Sequence, residues 1–278
     1  MGAGLHLQTL TRAQGALIRQ LLRDKTVRSK EGAFVVEGAT HCLDLISQHP
    51  QAIRSLLISP SYLRIECDAD RTTRLKLQGR QFLCSDLVFQ RLTDVETPQG
   101  ILAVVQQPQW DEGHIFRRSR VLGIYGDRLR DPANVGAIIR TAAALDLSGV
   151  WLSHDSVDHF SPKVVRATAG TLLALPVFYT RDIRTFALHG CELYSALLPT
   201  ADSVPLRNIR TIPSRLLFAV GNEGTGLSQD VVKASSIRFF IPLAEGVESL
   251  NVAASVAISA FYFSGLPDDS HVPIRSSS

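Results

Sequence analysis

From Val121 onward, short apolar segments alternate with segments that favour helices, and few folds accommodate this pattern. The predicted strands cover residues 121–125, 150–152, 177–179, 192–196, 216–220 and 238–241. The predicted helices cover residues 134–145, 162–168, 183–188, 228–233 and 250–263. Apolar strands that are each bounded by helices are typical of a parallel sheet covered on both faces. We therefore predict an α/β fold with a parallel sheet for this part of the chain.

The first hundred residues also alternate helices and strands, which predicts a separate and smaller α/β domain. A basic amphipathic helix near residues 16–25 precedes predicted strands at 33–36, 56–58, 82–84 and 101–105. A polar segment containing Pro108 and Gly113 follows them and is typical of a linker or of a connecting helix between domains. The predicted organisation is an N-terminal domain at 1–106, a linker at 107–119, a second domain at 120–266 and a disordered tail at 267–278.

Composition excludes several classes of protein. The formal net charge of the 278 residues is only +3, although residues 1–30 hold six Lys and Arg against one acid. No apolar run reaches the roughly 20 residues of a membrane span, and the N-terminus lacks the apolar core of a signal peptide. The four cysteines form no CxxC pair and the eight histidines show no metal-ligand spacing. We expect a cytoplasmic protein with reduced, buried thiols and no metal site.

Three clusters that follow predicted strands carry candidate chemistry. The first, at residues 131–142, begins with Asp-Pro-Ala-Asn, which suits a helix start near Asn134. Free N–H groups at such a start attract anions. Arg140 lies further along among apolar residues, where a guanidinium is costly unless an acid or a phosphate meets it. An ion pair within the fold explains Arg140 equally well.

The second and third clusters lie later in the chain. Residues 221–228 contain three glycines in the order G-x-x-G-x-G, which is not the dinucleotide fingerprint and argues against a nucleotide-dependent oxidoreductase. A tight turn explains the glycines but does not require the carboxylate of Glu223. Residues 241–253 place Ser249 as a predicted N-cap and Asn251 in the first turn of a helix, with a simple capped helix as the alternative. Because open parallel sheets build sites at the carboxyl ends of their strands, we expect the clusters to meet.

In order and spacing, the three clusters resemble the three motifs of the SpoU/TrmH family of SPOUT RNA 2′-O-ribose methyltransferases. The segment 161–170 also resembles the family's S-x-K-x-x-R-A-(S/T)-A-G stretch. The resemblance is specific over residues 121–265 and weaker over residues 10–106, where residues 34–38 are the best landmark. It implies methyl transfer from S-adenosylmethionine to a ribose 2′-hydroxyl of RNA, a trefoil knot in the C-terminal domain and a homodimer.

The resemblance also implies roles for single residues. Asn134 and Arg140 are expected at the substrate ribose, and Glu223 is expected to orient or balance Arg140. Ser249 and Asn251 complete the expected catalytic site. The cofactor is expected to contact mainly backbone groups of Gly221, Ile241 and Leu250. The family view makes Arg140 the base, but arginine stays protonated in proteins, so we favour electrostatic stabilisation of the developing alkoxide.

Binding of RNA requires contacts beyond the catalytic pocket. We expect phosphate contacts from the basic residues near the N-terminus, with a solvated charged face as the alternative: Arg12, Arg19, Arg23, Lys25, Arg28 and Lys30. A second basic group lies near the first cluster, at Arg117, Arg118, Arg120, Arg128 and Arg130. Within the family we favour large-subunit (23S-type) rRNA over tRNA as substrate. The alternative from another class is a non-catalytic RNA-binding protein of the same fold.

Overall fold

The computed structural model describes residues 7–93 and 95–269 and divides into two compact units. Unit 1 comprises Met1–Gln109 and Phe160–Gly170, and unit 2 comprises Trp110–His159 and Thr171–Ser278. The segment Phe160–Gly170, which the sequence analysis placed in the second domain, clusters with unit 1. Each unit has its own sheet.

The helices and strands follow one another in an alternating order. Up to residue 109 they are β1 (Gln8–Thr9), α1 (Arg12–Arg23), α2 (Lys25–Glu31), β2 (Ala33–Glu37), α3 (Ala39–Gln48), β3 (Ile53–Ile58), α4 (Pro60–Ile65), α5 (Asp68–Arg74), β4 (Gln81–Leu83), α6 (Asp86–Leu92) and β5 (Ile101–Gln106). Beyond it they are α7 (Glu112–Phe116), β6 (Val121–Asp127), α8 (Pro132–Ala144), β7 (Gly149–Ser153), α9 (Pro162–Ala167), β8 (Val177–Thr180), α10 (Arg184–Leu188), β9 (Glu192–Ala196), β10 (Val204–Pro205), β11 (Arg215–Gly221), α11 (Gln229–Ala234), β12 (Ile237–Phe240) and α12 (Val252–Ser264).

The sheet of unit 2 has seven strands in the order β10-β12-β9-β11-β6-β7-β8, and all of its strand pairs are parallel. Its central strands β6, β7 and β11 are buried almost throughout, which explains their apolar sequences. The predicted α/β fold with a parallel sheet is confirmed. The trefoil knot that the family resemblance implies stays a prediction.

An aromatic cluster on one face of this sheet includes part of the predicted linker. Trp151 is fully buried, and its ring lies 5.4 Å from that of Phe116 on α7. The indole Nε1–H of Trp151 donates to Glu112 Oε1 over 2.7 Å. Residues 112–116 of the predicted linker 107–119 are therefore a helix, the alternative that the sequence left open, and this helix packs into the core of unit 2.

The sheet of unit 1 has five strands in the order β1-β4-β3-β5-β2 and mixes directions. Strand β5 runs antiparallel to both β2 and β3, whereas β4 runs parallel to β1 and β3. The strands β2 and β5 are buried on both faces, apart from the last residue of β5. Antiparallel neighbours place the end of β2 beside the start of β5, where a polar pocket forms.

Several local predictions need correction. Helix α12 begins at Val252 and its N-cap is Asn251, so Ser249 is not the cap. Helix α8 begins at Pro132 with Asp131 as N-cap, two residues before the predicted start. The first residues of the predicted disordered tail are ordered, because Ile212 N–H donates to the Pro267 carbonyl over 3.1 Å. The rest of that tail, residues 270–278, lies outside the described residues.

The predictions on thiols, metals and membranes concern side chains dispersed over both units. Cysteines 42, 84 and 191 are free and buried, as expected, but Cys67 is free and exposed. Within residues 7–93 and 95–269, no three His, Cys, Asp or Glu side chains are grouped so that they could hold a metal ion. The same residues include no helix that combines the length and the apolar character of a membrane span.

Candidate active site

The candidate site of unit 2 forms where strands β6 and β11 end and helix α12 begins. The two strands run side by side in register, so that Asp127 at the end of β6 pairs with Gly221 at the end of β11. The loop after β6 leads into α8, and the loop after β11 carries the glycines. Parallel strands thus bring the first and second sequence clusters to one edge of the sheet.

A chain of hydrogen bonds joins one residue from each of the three clusters. Asn134 Nδ2–H donates to Glu223 Oε1 over 2.6 Å. Asn251 Nδ2–H donates to Asn134 Oδ1 over 2.9 Å. Asn251 Oδ1 accepts from the N–H groups of Ala253 and Ala254, the first turn of α12. Asn134 is only 7% exposed and is therefore the buried centre of this chain.

The chemistry at both ends fixes the direction of every bond in the chain. An ionised carboxylate only accepts hydrogen bonds, so Asn134 must turn its NH₂ group towards Glu223. The N–H groups of a helix start only donate, so Asn251 must turn its oxygen towards α12. The carbonyl oxygen of Asn134 and the NH₂ group of Asn251 are then left to meet each other. Each bond polarises the next, which makes the arrangement rigid.

A cavity of about 630 Å³ adjoins this chain. Its volume lies within the range of roughly 300–1,000 Å³ typical of small-molecule sites. It is lined by the predicted site residues Gly221, Glu223, Ile241, Ser249, Leu250 and Asn251. Six of the eight residues expected at the catalytic and cofactor sites thus face one cavity, and a seventh, Asn134, contacts two of them. Apolar walls beside exposed backbone suit a ligand that combines a heterocycle with polar groups.

The wall made by the glycine loop depends on the absence of a side chain at Gly221. A Cβ atom there would collide with the backbone of Gly226 and Leu227, because the loop folds back onto the end of β11. Within the loop, Asn222 Oδ1 accepts from the N–H groups of Gly224 and Thr225. The Gly226 φ of +66° is in the left-handed region that favours glycine. The constraints at Gly221 and Gly226, the first and third glycines of the motif, therefore shape the cavity wall.

Arg128 braces this loop from the end of β6. It has a φ of +55°, which is unusual for a residue with a side chain, and its N–H donates to Ser153 Oγ over 2.7 Å. Its Nη2–H donates to the Gly226 carbonyl over 3.0 Å. Its own carbonyl accepts from Asn222 Nδ2–H over 3.0 Å. Although Arg128 belongs to the second basic group that the sequence offers for RNA contacts, in the structure it holds the glycine loop.

The neighbouring Asp127 fastens the other side of the loop. Asp127 Oδ2 accepts from the Ser228 N–H over 2.7 Å, just before α11. The sequence analysis did not identify this pair, the brace by Arg128 or the cavity residues Ala196 to Leu198 at the end of β9. A usable signal was the position of Asp127, Arg128 and Ala196, because they lie at the ends of apolar strands where the site forms.

Arg140 does not join the hydrogen-bonded chain. Its side chain is exposed on α8, and it has no hydrogen-bond or ion-pair partner within the described part of the protein. Ile138, Ile139 and Ala142 occupy the buried side of the helix, so the expected apolar surroundings of the guanidinium do not exist. Within one chain the partner of Glu223 is Asn134, and the expected contact of Glu223 with Arg140 is absent.

The predicted phosphate contacts near the N-terminus lie on α1 and α2. Five of these six side chains are exposed: Arg12, Arg19, Arg23, Lys25 and Lys30. Arg28 is only 5% exposed, and its Nη1–H donates to the Leu21 carbonyl over 2.6 Å. The prediction is wrong for Arg28, which joins α2 to α1 instead of facing solvent.

The phenol of Tyr125, two residues before the end of β6, offers no base to the site. Burial raises the pKa of its phenol well above the usual range, with a further contribution from Asp127. The phenol therefore stays protonated at neutral pH. The polar side chains that line the cavity are instead the Glu223 carboxylate, the Asn251 amide and the hydroxyls of Thr225, Ser249 and Ser255.

Comparison with protein families gives two matches along the chain. The model of the SpoU rRNA Methylase family matches residues 122–261. The model of the MRM3-like substrate binding domain matches residues 17–103. The first match spans all three motif clusters of unit 2, and the second lies within unit 1.

Similar whole proteins carry related descriptions. An uncharacterised tRNA/rRNA methyltransferase from Synechocystis is 31% identical over 263 residues, which are 92% of this chain and 93% of that protein. The 23S rRNA (guanosine(2553)-2′-O)-methyltransferase of Bacillus subtilis is 29% identical, with 88% of this chain and 93% of that protein covered.

Solved structures of similar proteins have the same fold. The rRNA methyltransferase from Sinorhizobium meliloti with bound AdoMet is 26% identical with a TM-score of 0.75, covering 92% of this chain and 95% of that one. The SpoU methyltransferase AviRb from Streptomyces viridochromogenes with AdoMet is 25% identical with a TM-score of 0.78, covering 91% and 97%. The predicted class of enzyme, a methyltransferase, is confirmed. This chain belongs to the SpoU rRNA methylase family.

Proposed function

We propose that the protein transfers a methyl group from S-adenosylmethionine to a ribose 2′-hydroxyl of large-subunit rRNA. The observation that carries the proposal is the hydrogen-bonded chain Glu223–Asn134–Asn251 at the cavity lined by the glycine loop. The names of the Bacillus and Sinorhizobium relatives, which specify rRNA, support the choice of substrate. We also propose a location in the cytoplasm, as expected of an enzyme that acts on bacterial-type 23S rRNA.

The residues present fit this cofactor. The cavity offers apolar side chains at Ile241, Leu243 and Leu250 for a heterocycle and the backbone around Gly221 for polar groups. S-adenosylmethionine, when bound, supplies an electrophilic methyl group on a sulfonium sulfur. The carboxylate of Glu223 gives the cavity a negative group, which favours a cationic ligand. We propose Gly221, Ile241 and Leu250 as its main contacts.

The polar chain is proposed to position the sugar. The direction of each existing hydrogen bond is fixed. The amides and the carboxylate at the cavity rim can therefore form further hydrogen bonds to the sugar without changing their orientation. Holding a hydroxyl in line with a reacting group contributes several kcal/mol to catalysis. The Ser249 hydroxyl, on the same cavity, completes the polar contacts to the ribose.

Arg140 is proposed to act on the site of a second copy of the chain in a homodimer. It lies on an exposed face of α8 together with Ala133 and Ala144. The adjacent helix α12, which packs against α8, exposes Ile258 and Phe261, the latter 72% exposed. Together these side chains make an apolar face with a guanidinium in it, which is unusual for a solvated surface and suits an interface between copies.

At such an interface Arg140 would meet the partner's RNA-bound site rather than Glu223 of its own chain. Its guanidinium stays charged, so we assign it electrostatic stabilisation of the developing alkoxide and of the neighbouring phosphate. The exposed basic residues of α1 and α2 are proposed to bind further phosphates. The second candidate function, methylation of tRNA, is supported by the tRNA/rRNA description of the Synechocystis relative.

Labelled methyl transfer tests the proposal. With S-adenosylmethionine labelled in its methyl group, we expect label in 23S-type rRNA from cells that lack the gene and little in their tRNA. Arg140→Ala is expected to lower kcat by roughly 100-fold or more, as for loss of one electrostatic donor. The matched control is Arg210→Ala, which removes an exposed arginine of unit 2 with no assigned role. Label that appears only in tRNA, or not at all, contradicts the proposed substrate or activity.

Mixed dimers test whether Arg140 acts across the interface. An Arg140→Ala chain paired with an Asn134→Ala chain keeps one complete site if the arginine comes from the partner. We then expect about half of the wild-type activity per mixed dimer, because one of two symmetric sites is intact. Inactive mixed dimers would place Arg140 in its own chain's site.

A further inference from the structure

A second polar pocket, of about 270 Å³, lies within unit 1 where β2 ends. Strand β5 runs antiparallel to β2, so the segment that leads into β5 comes beside the end of β2. Helix α9, a part of unit 1, packs on β2 and contributes one side chain. The polar residues that line the pocket are Glu37, Thr40, His41, Thr97, Gln99 and Arg166.

The charges in this pocket exclude simple ions as ligands. Glu37 is only 8% exposed, and one of its carboxylate oxygens accepts from the Thr93 hydroxyl. A buried carboxylate repels free phosphate and other small anions. Arg166, which also lines the pocket, is half-buried, and its guanidinium repels a metal cation. A neutral ligand that offers both hydrogen-bond donors and acceptors can bind the carboxylate and the guanidinium together.

The remaining polar groups of the pocket offer hydrogen bonds that the described residues do not use. The Arg166 guanidinium has no hydrogen-bond or ion-pair partner in the described chain. Gln99 Oε1 accepts from the Ala39 N–H over 2.7 Å at the start of α3, which leaves its NH₂ group facing the pocket region. His41 Nδ1 is shielded from solvent and also has no partner among described residues. A shielded polar atom without a partner is costly, so a ligand that meets these groups gains affinity.

We propose that this pocket binds one unstacked guanine base of the RNA substrate. A carboxylate accepts from the N1–H and N2–H groups of guanine, and an arginine donates to its O6 and N7. Glu37 and Arg166 supply this pair of functions at the same pocket. Guanine alone among the standard bases offers one carboxylate two adjacent N–H donors, because adenine and cytosine offer a single amino group and uracil a single imino N–H. Unpaired bases of RNA are commonly recognised in this way, with imidazole or guanidinium planes for stacking. The volume suits one base and not a folded helix.

This proposal rests on the proposed function, because the RNA substrate supplies the base. It adds a specificity site to unit 1 that acts apart from the cavity of unit 2. All of the polar lining residues except Arg166 fall within residues 17–103, the part matched by a substrate-binding domain model. The pocket thus gives this domain a means to choose one nucleotide of the RNA.

Binding of short labelled RNAs tests the proposal with the full chain. We compare the pentamers UUGUU, UUAUU and UUUUU by fluorescence anisotropy. The guanine pentamer is expected to bind about tenfold more tightly than the others, in line with one good bidentate contact. Arg166→Ala is expected to remove this preference. Lys163→Ala, which removes an exposed charge from the same helix outside the pocket, is expected to weaken all three pentamers equally.

A second variant keeps the test valid if Arg166→Ala fails to fold. Thr40→Met enlarges an exposed side chain at the pocket and is expected to remove the guanine preference without loss of thermal stability. Equal affinity of wild type for the three pentamers, or equal effects of Arg166→Ala and Lys163→Ala, would overturn the proposal. Affinity for S-adenosylhomocysteine is measured in parallel. Its absence in the wild type counts against the methyltransferase function, whereas normal affinity without guanine preference counts against the pocket alone.

Discussion

The two sheets of the molecule place their polar residues by different means. In unit 2 every strand pair is parallel, so the ends of β6 and β11 and the start of α12 share one edge. In unit 1 strand β5 is antiparallel to both of its neighbours, so the end of one strand lies beside the start of another. The parallel sheet brings together the carboxyl ends of strands that are distant in sequence. The antiparallel pair places the end of one strand beside the start of the next.

This difference decides how each pocket is made. The cavity of unit 2 is walled by loops whose shape depends on backbone constraints, such as Gly221, and on a fixed chain of amides. The pocket of unit 1 is walled by side chains with opposite charges, Glu37 and Arg166. The cavity of unit 2 suits a ligand that is held largely by backbone groups. The pocket of unit 1 suits recognition of the hydrogen-bonding edge of one base. Substitutions in unit 2 should therefore affect methyl transfer, and substitutions in unit 1 should affect RNA binding.

The largest effect is expected from Asn134→Ala in unit 2. The change leaves Glu223 and Asn251 without their common partner at the cavity rim, so kcat should fall about 100- to 1,000-fold. RNA affinity should change little, because unit 1 is untouched. Methyl transfer kinetics and RNA binding are the measurements, with the exposed Asn208→Ala as control. Equal losses of RNA affinity and kcat would break the separation of the two units.

A smaller effect is expected from the basic face of α1. Replacing Arg12, Arg19 and Arg23 by alanine should weaken RNA binding about tenfold at low salt and reduce the slope of log affinity against log salt by about 2. Turnover at saturating RNA should stay the same. The control variant removes three exposed basic residues elsewhere in unit 1: Arg64, Arg71 and Lys76. An unchanged salt slope would show that the α1 residues are only a solvated face.

Arg128→Gly is expected to weaken cofactor binding by about fivefold. It removes the hydrogen bond that braces the Gly226 carbonyl, roughly 1 kcal/mol. Glycine accepts the φ of +55° without strain, so the thermal midpoint should stay within a few degrees. Calorimetry with S-adenosylhomocysteine measures the affinity. A large fall in stability with unchanged affinity would make Arg128 a structural residue without influence on the cofactor wall.

The smallest effect concerns two buried thiols, one in each unit. Burial raises the pKa of Cys84 and of Cys191 from 9.0 to about 11. Because the folded state holds these protons more tightly, each thiol stabilises it fully below about pH 9, and this contribution is lost as the pH rises towards 11. Iodoacetamide at pH 8 should therefore label only the exposed Cys67 in the folded protein.

Labelling in urea then compares the stability of the two units. Cys84 follows β4, which pairs with the two-residue edge strand β1, whereas Cys191 precedes β9, a strand paired on both sides. We expect Cys84 to become reactive at lower urea than Cys191, as read by mass spectrometry. Simultaneous labelling would show that the units unfold together.

The sequence predicts the parallel sheet well because its central strands are uniformly apolar. The predicted β9, at residues 192–196, coincides with the observed strand, and the other strands of unit 2 differ only at their ends, apart from the two-residue β10. Short helices such as α4 and α5 in unit 1 were not predicted. Their polar surfaces lack a clear period, and tertiary packing decides their existence.

Within the site, the positions of the motif residues were predictable and their contacts were not. Strand ends indicate where Asn134, Glu223 and Asn251 meet, but not that Asn134 lies between the other two. The phase of α8 explains why the Arg140 side chain is exposed, since Ile138 and Ile139 already fill the buried side of this helix. The brace by Arg128 depends on a left-handed backbone conformation that a sequence does not reveal. Arg28 faces the interior because α2 turns back onto α1, which charge patterning cannot indicate.

The most direct test of the central claim is the chemical position of the transferred methyl group. Large-subunit rRNA from cells without the gene is methylated with labelled donor, digested to nucleosides and separated by chromatography. We predict that the label co-elutes with a single 2′-O-methylnucleoside and that Asn134→Ala removes it. Label on a base instead of the sugar, or no label from a protein that binds S-adenosylhomocysteine, would contradict the account.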